Sequence, residues 1–273
     1  MLAAVLALIS LPAVLAATEA VSFYARNRSN GFLVSSGQQR EYLLHVPKSY
    51  DRKRPTPLVI SMHGAGGWPA QLRDLSRWNA LAESQGFIVV YPSGADWVGP
   101  RIWHVERGPG LLRDVRFISA LIDTLEAGYN IDPARIYANG FSNGGGMAFA
   151  LSCTLSDRIA AVGTVASAPL LPWSWCTDSR PVPMITFHGT ADRFIPYNGG
   201  SSPIATGPFR ASRPGRRIGP EETCADRTPS KLWSLRMSPA SNTRTALTMQ
   251  PWCSTPSGEE ATPGLAASRC RNQ

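Results

Sequence analysis

An α/β fold, with a mainly parallel sheet covered by helices on both faces, is predicted by three observations on this sequence. Short apolar runs alternate with amphipathic helical stretches from residue 40 to about residue 190, the order expected of strand–helix–strand units. Two of the runs end in His-Gly loops, His63-Gly64 and His188-Gly189. A third ends in Gly140-Phe141-Ser142-Asn143-Gly144 and passes straight into a small-residue apolar segment. The length of 273 residues and the 43% hydrophobic content allow one large domain with an ample core.

Taken in order, residues 22–39 are expected to supply entry strands and turns, and residues 40–47 an antiparallel strand. Leu58-Val59-Ile60-Ser61-Met62 is short, apolar and preceded by Pro55 and Pro57, which predicts a central strand. Leu72, Leu75, Trp78 and Leu81 recur at helical spacing. They predict one helix over 71–85 with a single buried face, Trp78 in the core and Gly86 as its stop. Residues 87–91 form the next strand, closed by Pro92. Val115, Ile118, Ile122 and Leu125 mark another amphipathic helix, with Asp114 near its amino end, where a carboxylate suits the helix dipole. Strands are then expected near Ile136-Tyr137, over 160–165 and over 183–187.

The chemistry centres on Ser142. G-x-S-x-G between a strand and a helix is a nucleophile elbow, in which the serine is held in a strained conformation at the carboxyl edge of the sheet. Gly140 and Gly144 let strand and helix approach closely, and Gly145 and Gly146 extend the clearance. Ser142 Oγ stands near the positive end of the following helix. The loop after Met62 (His63-Gly64-Ala65-Gly66-Gly67) offers backbone donors to an oxyanion. The N–H groups of Ala65 and Asn143 are the candidates, fixed before charge develops. Asp192 lies just past a strand end, where a carboxylate would orient a catalytic histidine. A turn aspartate capping Phe194 and Ile195 is the other reading of that residue. Chain order favours the orienting role, since an α/β-hydrolase runs Ser, then Asp or Glu, then His.

Residues 40–47, 58–67 and 86–92, Gly140-Phe141-Ser142-Asn143-Gly144-Gly145, and Phe187-His188-Gly189-Thr190-Ala191-Asp192 with Pro196-Tyr197 together resemble one family. It is the secreted polyhydroxybutyrate depolymerase and feruloyl esterase group of α/β-hydrolases, and the resemblance covers about residues 38–200. It implies Ser142 as nucleophile, Asp192 as the triad acid and a disulfide between Cys153 and Cys176. It also implies a histidine in a later Gly-His-x-Trp-Pro motif, which this sequence lacks. All four histidines (His45, His63, His104 and His188) precede Asp192. The chain as written therefore has no general base in the required order, and Ser142 would be a weak nucleophile.

Residues 201–273 lose helix and strand periodicity and are rich in Pro, Ser, Thr and Arg. Pairing the third base of each codon with the first two of the next lets residues 259–267 spell Gly-Gly-His-Thr-Trp-Pro-Gly-Gly. A frameshift between about Gly200 and Pro214 is the reading that follows. The expected organisation is a signal peptide over 1–16, a hydrolase core over 17–200 and an aberrant tail of low order over 201–273.

The apolar start, with Val14-Leu15-Ala16 as a cleavage site, predicts export rather than a membrane span, since Pro12 interrupts a run already short for one. Five cysteines fit an oxidising compartment. The net charge of +8 is concentrated in the tail, where 10 basic side chains face 5 acidic ones against 17 and 14 in residues 1–200. With neither aromatic interleaving nor a reader motif there, nucleic acid is not expected as a partner. No His/Asp/Glu cluster has metal-ligand spacing, and no cofactor is expected. The predicted activity is a serine esterase acting on hydroxyalkanoate polyesters or feruloyl esters of plant polysaccharide. Trp68, Trp97, Trp103, Trp173 and Trp175 stand in loops expected near the site, where they could stack on an aromatic acyl group or pack on one another. A serine peptidase of the same fold and a catalytically silent hydrolase-like protein remain the alternatives.

Overall fold

The computed structural model describes residues 29–95, 101–168, 170, 176 and 179–204, the backbone of 245–250, and Val14 and Thr18. Eight strands form one sheet: β1 (Gly31–Ser35), β2 (Gln38–His45), β3 (Thr56–Met62), β4 (Ile88–Pro92), β5 (Ile131–Phe141), β6 (Ala161–Val165), β7 (Met184–Gly189) and β8 (Thr245–Gln250). Their spatial order is β1-β2-β4-β3-β5-β6-β7-β8. β3 pairs in parallel with β4 and β5, and β6 in parallel with β5 and β7, while β1, β2 and β8 join antiparallel. The carboxyl ends of β3, β5 and β7 therefore open on the same edge, which is where loops from separate parts of the chain can meet.

Alternation along the strands sorts the core into two layers. Leu58, Ile60, Met62, Ile88 and Val90 face one side. There they pack against α3 (Pro109–Gly128) through Phe117, Ile118, Leu121 and Ile122, and against α4 (Asn143–Thr154) through Met147 to Leu151. Val59, Val89 and Tyr91 face the other side, under Ala70 and Leu72 of α1 (Pro69–Ser76) and Ala82 of α2 (Trp78–Gln85). Helices thus cover both faces, as expected.

The single helix expected over 71–85 is two. Arg77 takes a left-handed conformation (φ 58°) between α1 and α2, so the three-residue repeat no longer keeps to one face. Leu72 is buried as expected, but Leu75 and Leu81 are left exposed, and Ala70 and Ala82 are buried in their place. Trp78 does join the core, edge-on to Phe87, and Gly86 ends α2 at φ 74° with its N–H on Ala82 O.

A second difference lies in the tail. Residues 245–250, expected to be of low order, run antiparallel along β7, whose backbone would otherwise be an open edge. Residues 205–244 and 251–273, the expected signal segment apart from Val14, and Trp97, Trp173 and Trp175 fall outside the described residues. Cys153 in α4 and Cys176 are bonded, with Cα atoms 4.3 Å apart. Among the described residues no helix is long and apolar enough to cross a membrane.

Candidate active site

β5 passes into α4 through Ser142, which sits at φ 53°, ψ −118°, a region that costs a side-chain-bearing residue of order 1–3 kcal/mol. Surrounding hydrogen bonds hold it there: Ser142 N–H donates to Val165 O (2.8 Å), and the N–H groups of Gly145 and Gly146 donate to Ser142 O (2.9 and 3.1 Å). The glycines are required by contact. A Cβ on Gly140 would overlap the backbone of Gly144, and one on Gly144 would overlap the carbonyls of Met62 and His63. The strained elbow read from G-x-S-x-G is thus formed, with Ser142 at the amino end of α4.

The loop after β3 lies against it. A Cβ placed on Gly64 would come within 3.4 Å of Ser142 Cβ. Gly67 N–H closes a turn onto Gly64 O (3.0 Å), and Gly66 N–H donates to Arg101 O (2.8 Å). Among the described residues no backbone hydrogen bond engages the N–H of Ala65 or of Asn143. For Asn143 this is the ordinary condition of a first-turn helix donor. Two backbone donors on either side of a serine are what a developing oxyanion needs.

The histidines make the following contacts. His63, 1% exposed, receives the Gly94 N–H at Nε2 (2.9 Å) and contacts Gly64 O through Nδ1 (2.7 Å). Accepting at Nε2 fixes the proton on Nδ1. Burial pushes its pKa down to about 4, with the Arg101 charge acting in the same direction and the Gly64 carbonyl opposing both. It braces the loop as a neutral ring.

The unfolded histidine titrates near 6.5, so its contribution to stability is full above pH 6.5 and is lost as pH falls toward 4. The loss is about 3 kcal/mol. Urea midpoints taken at pH 7.5 and pH 4 should therefore separate further for the wild type than for His63→Gln. Equal separations would remove His63 as the cause.

His104 binds Asp114 Oδ2 through Nδ1 and through its own backbone N–H, each at 2.9 Å. Asp114 is fully buried, with Oδ1 on Arg40 Nη1 at 2.9 Å. His45 pairs with Glu83. His188 is buried at the end of β7, with Nε2 2.7 Å from Ile195 O and 3.4 Å from Asp192 Oδ2.

Asp192 itself caps a turn: Oδ1 accepts from the N–H groups of Phe194 (2.8 Å) and Ile195 (2.9 Å). Phe141, Val165 and Phe187 are in register across β5, β6 and β7. Ser142 and His188 thus occupy the next row, and Asp192 lies four residues further along the same edge. No histidine among the described residues hydrogen-bonds Ser142.

Trp103, expected near the site either to stack on an acyl group or to pack on another aromatic, is 1% exposed and stacked on Phe117 (6.5 Å between centroids, 10° between planes). A buried ring cannot stack on an acyl group. It makes three hydrogen bonds that sequence spacing does not reveal. Its backbone N–H donates to Asn143 Oδ1 (2.7 Å) and its carbonyl accepts from Asn143 Nδ2 (3.0 Å), while its indole N–H donates to His63 O (3.1 Å). Trp68 is half-buried against the layer under α1 and α2. Among the described residues no group of three His, Cys, Asp or Glu could hold a metal.

Strand order, elbow and loop define an α/β-hydrolase. Residues 40–170 match the family model described as Esterase PHB depolymerase. Among curated proteins, the chain is 32% identical over 171 residues to feruloyl esterase B of Piromyces equi. It is 30% identical over 168 residues to the bifunctional acetylxylan esterase/xylanase of Neocallimastix patriciarum, and 34% identical over 167 residues to feruloyl esterase C of Emericella nidulans. These matches take in 62%, 62% and 59% of this chain but 32%, 24% and 58% of those proteins. The chain thus spans less than two thirds of each relative.

Proposed function

We propose that this chain is the hydrolase core of an exported carboxylic ester hydrolase, acting on esters of the feruloyl or hydroxyalkanoate type. Residues 1–16 serve as its leader and 17–200 as its core. The observation that carries the reading is Ser142, held at φ 53°, ψ −118° beneath the Gly64–Ala65 loop. Strain of this kind persists only where the surroundings enforce it. Ser142 Oγ attacks the ester carbonyl, and the N–H groups of Ala65 and Asn143 hold the oxyanion. Asp192 supplies the carboxylate for a histidine that this reading frame does not encode. The relatives named feruloyl and acetylxylan esterases support an ester over a peptide bond, and comparing a nitrophenyl ester with a peptide anilide tests that choice.

Ser142→Ala should abolish all protein-dependent hydrolysis of a nitrophenyl ester while leaving the unfolding midpoint little changed, since alanine fits the same turn. A folded Ser142→Ala protein that hydrolyses the ester at the wild-type rate would place the nucleophile elsewhere.

That no described histidine hydrogen-bonds Ser142 favours a second reading for the chain as written, a hydrolase shell with little turnover. Both readings are reconciled if residues 201–273 are a frameshifted end whose neighbouring frame carries the histidine. Sequencing the gene beyond codon 200 tests this, and the absence of a His-Thr-Trp-Pro stretch in that frame would exclude it.

A further inference from the structure

We propose that Trp103 is a positioning residue, which sets the distance between the two oxyanion donors and uses the Asn143 side chain as its grip on the elbow. The proposal rests on the esterase reading above and concerns the same site. The two donors belong to different parts of the chain, Ala65 to the loop after β3 and Asn143 to the first turn of α4. The segment 101–104 reaches both.

On the elbow side, the Asn143 amide and the Trp103 backbone exchange a reciprocal pair of hydrogen bonds, 2.7 and 3.0 Å. Such a pair fixes orientation as well as distance. On the loop side, the Trp103 indole N–H holds His63 O at 3.1 Å and Arg101 O holds the Gly66 N–H at 2.8 Å. These two bonds bracket Ala65. His63 is itself immobilised by Gly64 O and the Gly94 N–H.

The brace has its own footing. The Trp103 ring lies flat on Phe117, and the next residue's N–H is bound by Asp114, whose other oxygen is on Arg40. An oxyanion hole works because its donors are fixed before charge develops, and a displacement near 1 Å costs on the order of 100-fold in rate. A buried aromatic joined by hydrogen bonds to both donor segments is suited to prevent that displacement.

The test uses an alkyl fluorophosphonate on the full chain. Labelling forms a Ser142 Oγ–phosphorus bond as the P–F bond breaks. Fluoride leaves with the bonding electrons, the Oγ proton passes to solvent base, and the phosphoryl oxygen takes the oxyanion position. Labelling is followed by intact mass, and Ser142 is confirmed by peptide mapping. Trp103→Phe keeps the ring on Phe117 but loses the indole N–H, and Asn143→Ala loses the amide but keeps the backbone donor. Each variant should label with a maximal rate on the order of 10–100-fold lower, at an unchanged half-saturating reagent concentration and with a thermal midpoint near that of the wild type.

Wild-type rates in both variants would overturn the proposal and leave the esterase reading intact. So would rate, reagent affinity and midpoint falling together, which is the mark of a merely structural role. If Trp103→Phe does not fold, Asn143→Ala decides alone. If Ser142 is labelled in millimolar reagent neither in this chain nor in the chain whose tail is read in the adjacent frame, the esterase reading is overturned, and with it the need for a brace.

Discussion

Asp114→Ala is expected to destabilise the protein by about 3–5 kcal/mol, the largest stability effect of any single substitution considered for this chain. Asp114 and Arg40 are 1% and 5% exposed, and they meet at 2.9 Å. Removing the carboxylate leaves the Arg40 guanidinium buried, and it cannot escape by losing its proton. Ser93 O at 3.1 Å and the face of Phe117 at 4.1 Å soften the cost without replacing the carboxylate's full charge. The same change frees the backbone N–H and Nδ1 of His104.

Urea unfolding should show a lower midpoint with an unchanged slope. Replacing both partners, as in Arg40→Met with Asp114→Leu, should recover much of the loss, because well-packed apolar pairs often match a buried ion pair. A shift below about 1 kcal/mol in Asp114→Ala would mean that water reaches the pair.

Reading the tail in the adjacent frame is expected to raise ester hydrolysis by at least about a thousandfold over the chain as written. A serine without its base is a weak nucleophile, and a hydrolase lacking a triad member retains only the part of its rate that comes from binding and the oxyanion hole. The restored Gly-Gly-His-Thr-Trp-Pro segment would bring an imidazole to the edge where Ser142 and Asp192 already lie. The measurement is kcat/KM on a nitrophenyl ester for the two chains, with the corresponding His→Ala change in the restored chain as the control. If the restored chain is no faster, or the control is as fast, the missing residue is not the base.

What sequence revealed here was what short spacing controls. The elbow was legible because its glycines and serine lie within five residues and each obeys a local steric demand. The turn-capping role of Asp192 was legible too, since its partners Phe194 and Ile195 are two and three residues away. The break at Arg77 was not, because the repeat of Leu72, Leu75, Trp78 and Leu81 carries no mark of a left-handed residue in its midst. Nor were the contacts that cross the fold. Asp114 meets Arg40, and Asn143 meets Trp103, through pairings that only strand order creates. Trp103 was singled out as an aromatic near the site, yet burial gives it a different task from the one its residue type suggested.

The strand order also bears on how the chain is made. Val59 in β3 pairs with Tyr137 in β5, so during synthesis the apolar run 58–62 leaves the ribosome long before its second neighbour exists. The centre of the sheet closes once Phe141 has emerged, and β6 and β7 complete the parallel block before residue 200. A reading-frame slip beyond that point would spare the part of the molecule whose assembly is most demanding. A gene damaged there would still encode the Ser142 elbow, and any loss of turnover would escape a screen based on expression alone.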